Sequence, residues 1–362
     1  MTPRPMTSAD RPACAHTGRP ALFAVLAGLA ALGLASVFLA CLFGPARVPA
    51  LAAARVLGGV FGGGASGADP TLVTVVRDIR LPRAALSWLV GAALGLSGGV
   101  YQGILRNPLA DPFTLGVSTG AAFGASLAIF LGLSSVPWLT ALGLDPVPLA
   151  ALAGAMAALA AVIALAGTGG GTRRETLVLA GIVTATFLSA LISLLKSLGE
   201  ESVAGIVYWL MGGFAGRGFG HLALFLPYFL VGLAIIARYS RELDILALGE
   251  TQARMLGVRA ARVRLYLLIG ASLLAAASVA VAGVIGFVGL IVPHLVRLVL
   301  GSEHRPLLAA SALLGGILLV WSDVLARTVL PHGAELPAGV VTALLGGPFF
   351  CLLLRGRAMG RA

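Results

Sequence analysis

Lysine occurs only once among the 362 residues of this chain, at position 196. A nucleotide-binding P-loop needs a lysine between glycine and serine or threonine. Lys196 instead follows Leu195, so the chain does not hydrolyse ATP through a P-loop. Cysteine is nearly as rare, and Cys14, Cys41 and Cys351 lack the spacing of a disulfide framework or a metal site.

Charge of either sign is also scarce. Charged residues make up 11% of the chain and hydrophobic residues 59%, a balance that soluble globular domains do not show. Apolar runs of about 20 residues recur, and each is long enough to cross a hydrocarbon core of about 30 Å. The 24 arginines lie between these runs, as the positive-inside rule requires, so the net charge of +11 does not indicate nucleic-acid binding. The composition predicts an all-α, polytopic membrane protein.

The apolar runs predict about ten membrane-spanning helices. Residues 263–300 would form one helix of about 57 Å at 1.5 Å per residue, about twice the bilayer core, so we expect two spans there. Gly283, Gly286, Gly289 and Pro293 are candidate positions for the break. The predicted spans are 21–43, 84–105, 113–133, 147–166, 176–198, 221–237, 263–284, 286–300, 307–327 and 337–354.

The distribution of basic residues predicts the orientation. With ten spans and a cytosolic start, 17 basic residues fall on the cytosolic side and 8 on the outer side. Nine spans would move Arg355, Arg357 and Arg361 outside, against this bias. We therefore expect a cytosolic tail at 1–20, a transmembrane domain at 21–355 and a cytosolic tail at 356–362.

Residues 238–264 form the most polar internal segment, with six arginines and three acids. Connections are usually short, so a cytosolic loop of this length is expected to have a further role. Met255 and Leu256, together with Ala253 and the preceding Leu248, form a short amphipathic pattern that Gly249 and Gly257 bracket. This pattern predicts a small helix that lies along the membrane and offers a face to a partner.

No arrangement of residues indicates a catalytic site, so we do not expect an enzyme. An ion-coupled carrier would need an ionisable residue at mid-membrane depth, and Asp323 is the clear candidate. Arg327 lies one helical turn later and is expected to neutralise it. His294 is interpreted as structural. These features favour a pore-forming subunit driven by a separate ATPase that docks on 238–264.

Several ordered segments between about 77 and 355 resemble one family closely, the FecCD-type permeases of ABC importers for iron–siderophore complexes, haem and cobalamin. The matching segments are 80–83 (RLPR), 97–102 (SGGVYQ), 106–112 (RNPLADP), 115–120 (LGVSTG), 208–214 (YWLMGGF), 247–250 (ALGE), 254–257 (RMLG), 283–294 (GVIGFVGLIVPH), 335–339 (ELPAG) and 347–348 (GP).

The resemblance implies a cobalamin-permease-like (type II) ABC importer fold with ten transmembrane helices per chain in the bacterial or archaeal cytoplasmic membrane. It implies a second copy of the permease or a close paralogue, with the substrate path along the two-fold axis. Two ATP-binding subunits would hold ATP and Mg, with no cofactor or metal on this chain. A periplasmic or lipid-anchored binding protein would deliver the substrate.

The resemblance also implies roles for individual positions. The segment that docks the ATPase corresponds to Leu248, Gly249, Glu250, Arg254, Leu256 and Gly257. The outer arginines that bind carboxylates of the binding protein correspond to Arg80, Arg83 and Arg327. The cytosolic gate corresponds to Asn107 and Leu109, and the residues beside the pore correspond to Tyr208, Trp209 and Met211. The stretch 167–174 does not match a second family gate.

The substrate is expected to be a bulky metal chelate. Family membership favours an iron(III)–siderophore complex, and cobalamin and haem are the alternatives. Residues 208–214 also look like the corresponding segment of cobalamin permeases. An ion-coupled secondary carrier is the alternative from another functional class.

Overall fold

The structure, a computed structural model, describes residues 19–46, 48–62, 69–133, 145–167 and 174–359. These residues are almost entirely helical and contain no β-strand. A π-helical segment, Thr74–Arg80, joins α3 to α4. The helices are α1 (Arg19–Ala40), α2 (Ala50–Gly62), α3 (Pro70–Val73), α4 (Leu81–Leu105), α5 (Val117–Phe130), α6 (Pro146–Gly167), α7 (Arg174–Leu198), α8 (Val203–Leu210), α9 (Phe219–Leu248), α10 (Glu250–Met255), α11 (Ala260–Ala282), α12 (Val288–Leu300), α13 (His304–Thr328) and α14 (Ala338–Met359).

Ten of the described helical segments correspond to the ten predicted spans. Seven are long and apolar enough to cross a membrane, counting Pro70–Leu105 as one continuous helix of 36 residues. The other three, α5, α12 and α14, are shorter apolar helices. The sequence analysis missed α2, whose 13 residues are fewer than a membrane-spanning helix needs.

The predicted division of residues 263–300 is confirmed, and the break lies at Gly283–Phe287. Gly283 has φ +69°, a conformation open to glycine, and Phe287 adopts φ +69° as well. Pro293 does not break the chain but lies inside α12. Because proline has no N–H, the Gly289 carbonyl four residues earlier loses its helical donor. Gln102 Nε2 in α4 donates to that carbonyl at 3.4 Å.

The prediction of a 27-residue loop at 238–264 was wrong in its extent. The helix α9 continues 11 residues past the predicted end at 237, to Leu248, and α11 begins at Ala260. An ion pair one turn apart, Arg238 Nη1 to Glu242 Oε1 at 3.1 Å, favours a helix in this polar stretch. The small helix predicted between Gly249 and Gly257 is present as α10.

The centre of the bundle is α4, which packs against α1, α9, α11, α12 and α13. A Cβ atom at Gly91 or Gly95 would collide with backbone carbonyls of α13, and one at Gly98 would collide with the backbone of α12. These glycines therefore allow the close helix approach that is typical of membrane bundles. We call the end of the bundle that carries Arg80 the outer end, after the predicted orientation, and the end that carries Asn107 the inner end.

Candidate functional site: an inner coupling helix and an outer arginine cluster

At the inner end, large apolar side chains in α10 and on either side of it are exposed to solvent. Ala253 is fully buried, whereas Leu248, Met255 and Leu256 have exposed fractions of 63%, 81% and 62%. Gly249 has φ +135° and Gly257 has φ +78°, so both ends of α10 turn sharply, as glycine permits. The predicted amphipathic helix thus has one face on the protein and one free face. Arg254 lies in its last turn and is exposed.

An ion pair holds the start of α10 against α11. The Arg264 guanidinium, which is buried in α11, bonds to Glu250 Oε1 in the first turn of α10. This hydrogen bond lowers the pKa of the Glu250 carboxyl, and the positive charges of Arg264, Arg254 and Arg174 lower it further. Glu250 therefore remains ionised near neutral pH, and α10 is fixed to the bundle by a charged contact.

The turn between α4 and α5 (residues 106–116, the α4–α5 turn) contains both predicted gate residues. The helix α4 ends at Leu105, as expected before the Asn-Pro pair, and Arg106 follows in the left-handed conformation at φ 47°. Asn107 Oδ1 accepts a hydrogen bond from the Leu109 N–H at 3.0 Å. Asn107 is exposed and Leu109 is half-buried, so the asparagine shapes the turn while staying accessible.

The same turn borders an open cavity of about 470 Å³. Asp111 and Phe113 contribute to its wall, together with Met211 and the Phe287 break. Asp111 Oδ1 accepts hydrogen bonds from the backbone N–H groups of Phe113 and Thr114 at 3.0 and 3.1 Å. Burial raises the pKa of the Asp111 carboxyl to about 6, although these two hydrogen bonds lower it.

The raised pKa predicts that Asp111→Asn stabilises the permease at neutral pH. Because the folded-state pKa exceeds the ordinary value of 3.8, the Asp111 contribution to stability is full below about pH 4. It decreases as pH rises through 6, by up to about 3 kcal/mol. Asparagine keeps the Oδ1 acceptor but has no charge to desolvate. In detergent, the melting temperature of Asp111→Asn should therefore exceed that of the wild type by an amount that grows between pH 4 and pH 7.

The matched control is Asp69→Asn. Asp69 is an exposed residue that caps α3 in the same way, accepting from the Thr71 N–H at 2.9 Å. Asparagine can accept the same capping hydrogen bond, so this substitution should hardly change the melting temperature. Parallel melting curves for Asp111→Asn and the wild type from pH 4 to 7 would contradict the assignment.

At the outer end, the three predicted docking arginines are buried rather than exposed. Arg80, Arg83 and Arg327 have exposed fractions of 4%, 7% and 3%. Arg80 Nη1 donates to the carbonyls of Cys41 and Leu42 at 2.9 and 3.1 Å, and Arg327 Nη2 donates to the Ala40 carbonyl at 2.8 Å. Both arginines thus satisfy carbonyls at the C-terminal end of α1, where cations are favourable.

The main partner of Asp323 is Arg83, and not Arg327 as the sequence suggested. Arg83 Nη2 and Nε bond to the two Asp323 oxygens at 2.8 and 3.0 Å, whereas Arg327 Nε lies 3.7 Å from Asp323 Oδ2. Arg83 Nη1 also bonds to Glu335 Oε1 at 3.1 Å. The sequence analysis identified the one-turn pair, but it had no signal for a contact across 240 residues.

The three predicted pore-side residues on and after α8 differ in their surroundings. Tyr208 is exposed at 64%, and Met211 lines the 470 Å³ cavity. Trp209 is only 8% exposed and packs in the hydrophobic core. Tyr208 and Trp209 also border a smaller cavity beside Arg83 and Glu335. Lining of a substrate path therefore stays a prediction, for which Trp209 is the least suited of the three.

Comparison with known proteins supports the resemblance. The sequence profile of the FecCD transport family matches residues 31–356. An uncharacterized ABC transporter permease protein, YvrB of Bacillus subtilis, is 44% identical over 295 residues, which cover 81% of this chain and 82% of YvrB. The cobalamin import system permease protein BtuC of Halobacterium salinarum is 45% identical, covering 80% of this chain and 76% of that protein.

A third relative and one solved structure agree with these matches. The hemin transport system permease protein HmuU of Yersinia pestis is 40% identical over 77% of this chain and 83% of HmuU. A metal-chelate type ABC transporter solved in an inward-facing conformation superimposes with a TM-score of 0.76 at 32% identity, covering 92% of this chain and 99% of that chain. The chain therefore belongs to the FecCD transport family and is a multi-pass membrane permease of the ABC importer type.

Proposed function

We propose that this chain forms the substrate path of a binding-protein-dependent importer for a bulky metal chelate, powered by ATP hydrolysis on a separate subunit. The observation that carries the proposal is an exposed apolar face around α10 at the inner end, formed by Leu248 at the end of α9, Met255 in α10 and Leu256 directly after it. The Glu250–Arg264 ion pair fixes this face to the bundle. A face that is both exposed and firmly attached suits the transmission of force from a docked ATPase.

We further propose that two permease chains assemble around the path, in a cytoplasmic membrane and with both termini in the cytosol. Large apolar side chains on α7 and α14, including Leu179, Phe187 and Leu344, are more than half exposed. The 470 Å³ cavity opens beside α14, where Val340 and Ala343 line it. A second copy packed against these faces would enclose the cavity.

Cobalamin is the chelate that we propose first, ahead of the iron–siderophore complex that the sequence analysis favoured. The BtuC relative from Halobacterium salinarum is named for cobalamin import, and residues 208–214 look like the corresponding segment of such permeases. Other relatives are named for hemin and ferric dicitrate, at 40% and 39% identity. The preference therefore rests on similarity and not on a described substrate contact.

The test is uptake into vesicles that contain this permease, its ATPase and its binding protein. Labelled cobalamin, a ferric siderophore and haem would be compared with and without ATP. ATP-dependent and binding-protein-dependent uptake of cobalamin supports the proposal. Uptake of another chelate corrects the substrate, and uptake that follows an ion gradient without ATP refutes the ABC mechanism.

The ion-coupled alternative has less support from the described side chains. Its candidate residue, Asp323, accepts hydrogen bonds from Arg83 on both carboxylate oxygens near the outer end. Cycles of protonation would need this pair to separate inside the bundle, which costs several kcal/mol.

We propose that Arg83 binds a carboxylate of the binding protein in exchange for Glu335. The Glu335 side chain is partly exposed, with an exposed fraction of 25%, and it binds only Nη1 of Arg83. Asp323 binds the other two nitrogens of the same guanidinium, Nε and Nη2. An incoming carboxylate can replace Glu335 while Asp323 keeps its bonds. For Arg80 and Arg327, whose donors bind α1 carbonyls, the docking role stays a prediction that would require those bonds to open.

Replacing Glu335 with glutamine is expected to tighten binding of the substrate-binding protein by about 3- to 10-fold. The substitution weakens the internal competitor of Arg83, and rim charge pairs mainly change association and its salt dependence. Binding would be measured with the permease in nanodiscs at two salt concentrations. The control, Glu200→Gln, removes an exposed acid predicted at the same end. Equal affinities for both variants, or weaker binding for Glu335→Gln, would refute the exchange.

A further inference from the structure

Arg106 joins the two regions that the proposed function relates, the ATPase-docking helix and the cytosolic gate. It is the first residue after α4 and immediately precedes Asn107. Its Nη2 group donates a hydrogen bond to the Leu246 carbonyl near the end of α9. Leu246 lies four residues before Glu250, the first residue of α10. One side chain thus spans from the α4–α5 turn to the segment that leads directly into α10.

The guanidinium of Arg106 also lies beside Gly249, the residue between α9 and α10. A Cβ atom placed on Gly249 would lie 3.8 Å from Arg106 Nη2. Gly249 has φ +135° and separates α9 from α10. A displacement of α10 relative to the bundle must change the backbone around this glycine, and the guanidinium of Arg106 lies beside it.

The backbone of Arg106 is in turn tied to the predicted gate. Arg106 has φ 47° and ψ 38°, a left-handed conformation that is unfavourable for a residue with a side chain. The Asn107 N–H donates to the Gln102 carbonyl at 3.2 Å, and the Ala110 N–H donates to the Asn107 carbonyl at 3.0 Å. The guanidinium contact helps to hold the conformation from which the turn of Asn107 and Leu109 starts.

A separate set of contacts joins the neighbouring helix ends. His304 Nδ1 and Asp244 Oδ1 are 2.6 Å apart, and His304 packs where a side chain on Gly103 would collide with it. This junction joins α9, α13 and the last turn of α4, but it ends before the α4–α5 turn. The hydrogen bond of Arg106, by contrast, joins α9 to the α4–α5 turn itself, two residues before α9 ends.

We propose that Arg106 is a positioning residue that transmits movement of α10 to the α4–α5 turn. The inference rests on the proposed function and assigns a residue through which ATPase docking reaches the gate. Arg106 need not touch substrate or ATP. Replacing Arg106 should lower transport while ATP hydrolysis continues, and the transporter should still assemble.

The first experiment compares uptake with ATP hydrolysis in the assembled transporter. In Arg106→Gln, whose side chain is too short to reach the Leu246 carbonyl, uptake per ATP hydrolysed should fall at least 10-fold, with stimulated ATPase activity within about 2-fold of wild type. Arg106→Lys keeps a positive charge and a long side-chain donor, so its uptake per ATP hydrolysed should be at least 3-fold higher than that of Arg106→Gln. The control is Arg305→Gln, an exposed arginine at the same end that lies outside α10 and the turn. Parallel loss of uptake, ATPase activity and melting temperature, or unchanged uptake, would overturn the proposal.

A second experiment uses the permease alone, so a wrong substrate or partner does not decide it. Glu250→Gln weakens the ion pair that holds α10. In the wild-type background it should increase amide hydrogen exchange both in α10 and at residues 109–110. In the Arg106→Gln background the added Glu250→Gln should increase exchange in α10 only, because coupled residues give non-additive effects. Equal increases at residues 109–110 in both backgrounds would refute Arg106 as the link, whatever the chelate.

Discussion

Replacing Asp323 with asparagine is expected to destabilise the permease by about 3–5 kcal/mol, because removing one partner of a buried ion pair leaves an uncompensated charge. Asp323 is 1% exposed, and Arg83 bonds to both of its oxygens. Arg327 and Arg80 add positive charge nearby, so Glu335 alone would remain as an acid among three buried arginines. The melting temperature of the purified protein should fall by several degrees or more.

The matched control is Asp78→Asn. Asp78 also pairs with an arginine, Arg77 at 3.3 Å, but both side chains are about half exposed. Exposed ion pairs contribute about 0–1 kcal/mol, so the melting temperature should hardly change.

A double variant tests whether the effect belongs to the pair. Arg83→Gln combined with Asp323→Asn removes both charges and should recover part of the stability lost in Asp323→Asn. If Asp323→Asn melts like the wild type, the buried cluster does not hold the outer end together.

Replacing Gly98 with alanine is the second change with a large expected effect. The new Cβ would collide with the backbone of Gly289, and a backbone atom cannot rotate away as a flexible side chain can. Overpacking costs about 1–3 kcal/mol, and Gly98→Val should reach the upper end or prevent folding. Separation of α4 from α12 would also weaken the contact of Gln102 Nε2 with the Leu290 carbonyl at 3.2 Å.

Function should suffer together with stability at Gly98. The helix α12 starts at the Phe287 break, which lines the 470 Å³ cavity, so a shift of α12 changes the proposed path. We expect uptake to fall at least 10-fold in Gly98→Ala. The control, Gly28→Ala in α1, has open space around the added methyl group and should be neutral or slightly stabilising. Normal stability and uptake in Gly98→Ala would show that α4 and α12 are less closely packed than described.

The sequence predicted the helices well where hydrophobicity alone decides them. A run such as 146–167 crosses a bilayer because burying its apolar side chains in lipid and pairing its backbone internally leaves no other solution. The prediction failed at 238–248, where polar residues end the hydrophobic signal but not the helix. Helix length there depends on local pairs such as Arg238–Glu242.

Some residues of the candidate site could likewise be recognised from the sequence, and others could not. Gly249 and Gly257 could be recognised from the sequence, since a turn beside a short amphipathic helix favours glycine, and the structure gives both positive φ. The surroundings of Arg83 could not be recognised, because an arginine between apolar runs has the same local sequence whether it points outward or inward. Arg106 was predicted to be a cytosolic charge and the first residue of a family segment, without a partner.

The sequence by itself determined the class of protein, the ten spans, the break near Gly283 and the short helix α10, because each depends on residues close together along the chain. The family followed from the ordered motifs. Only the tertiary structure decided that Asp323 binds Arg83 and that Arg106 reaches Leu246, since these partners lie 240 and 140 residues apart. Such contacts arise from the packing of α4 against its neighbours, which no local pattern encodes.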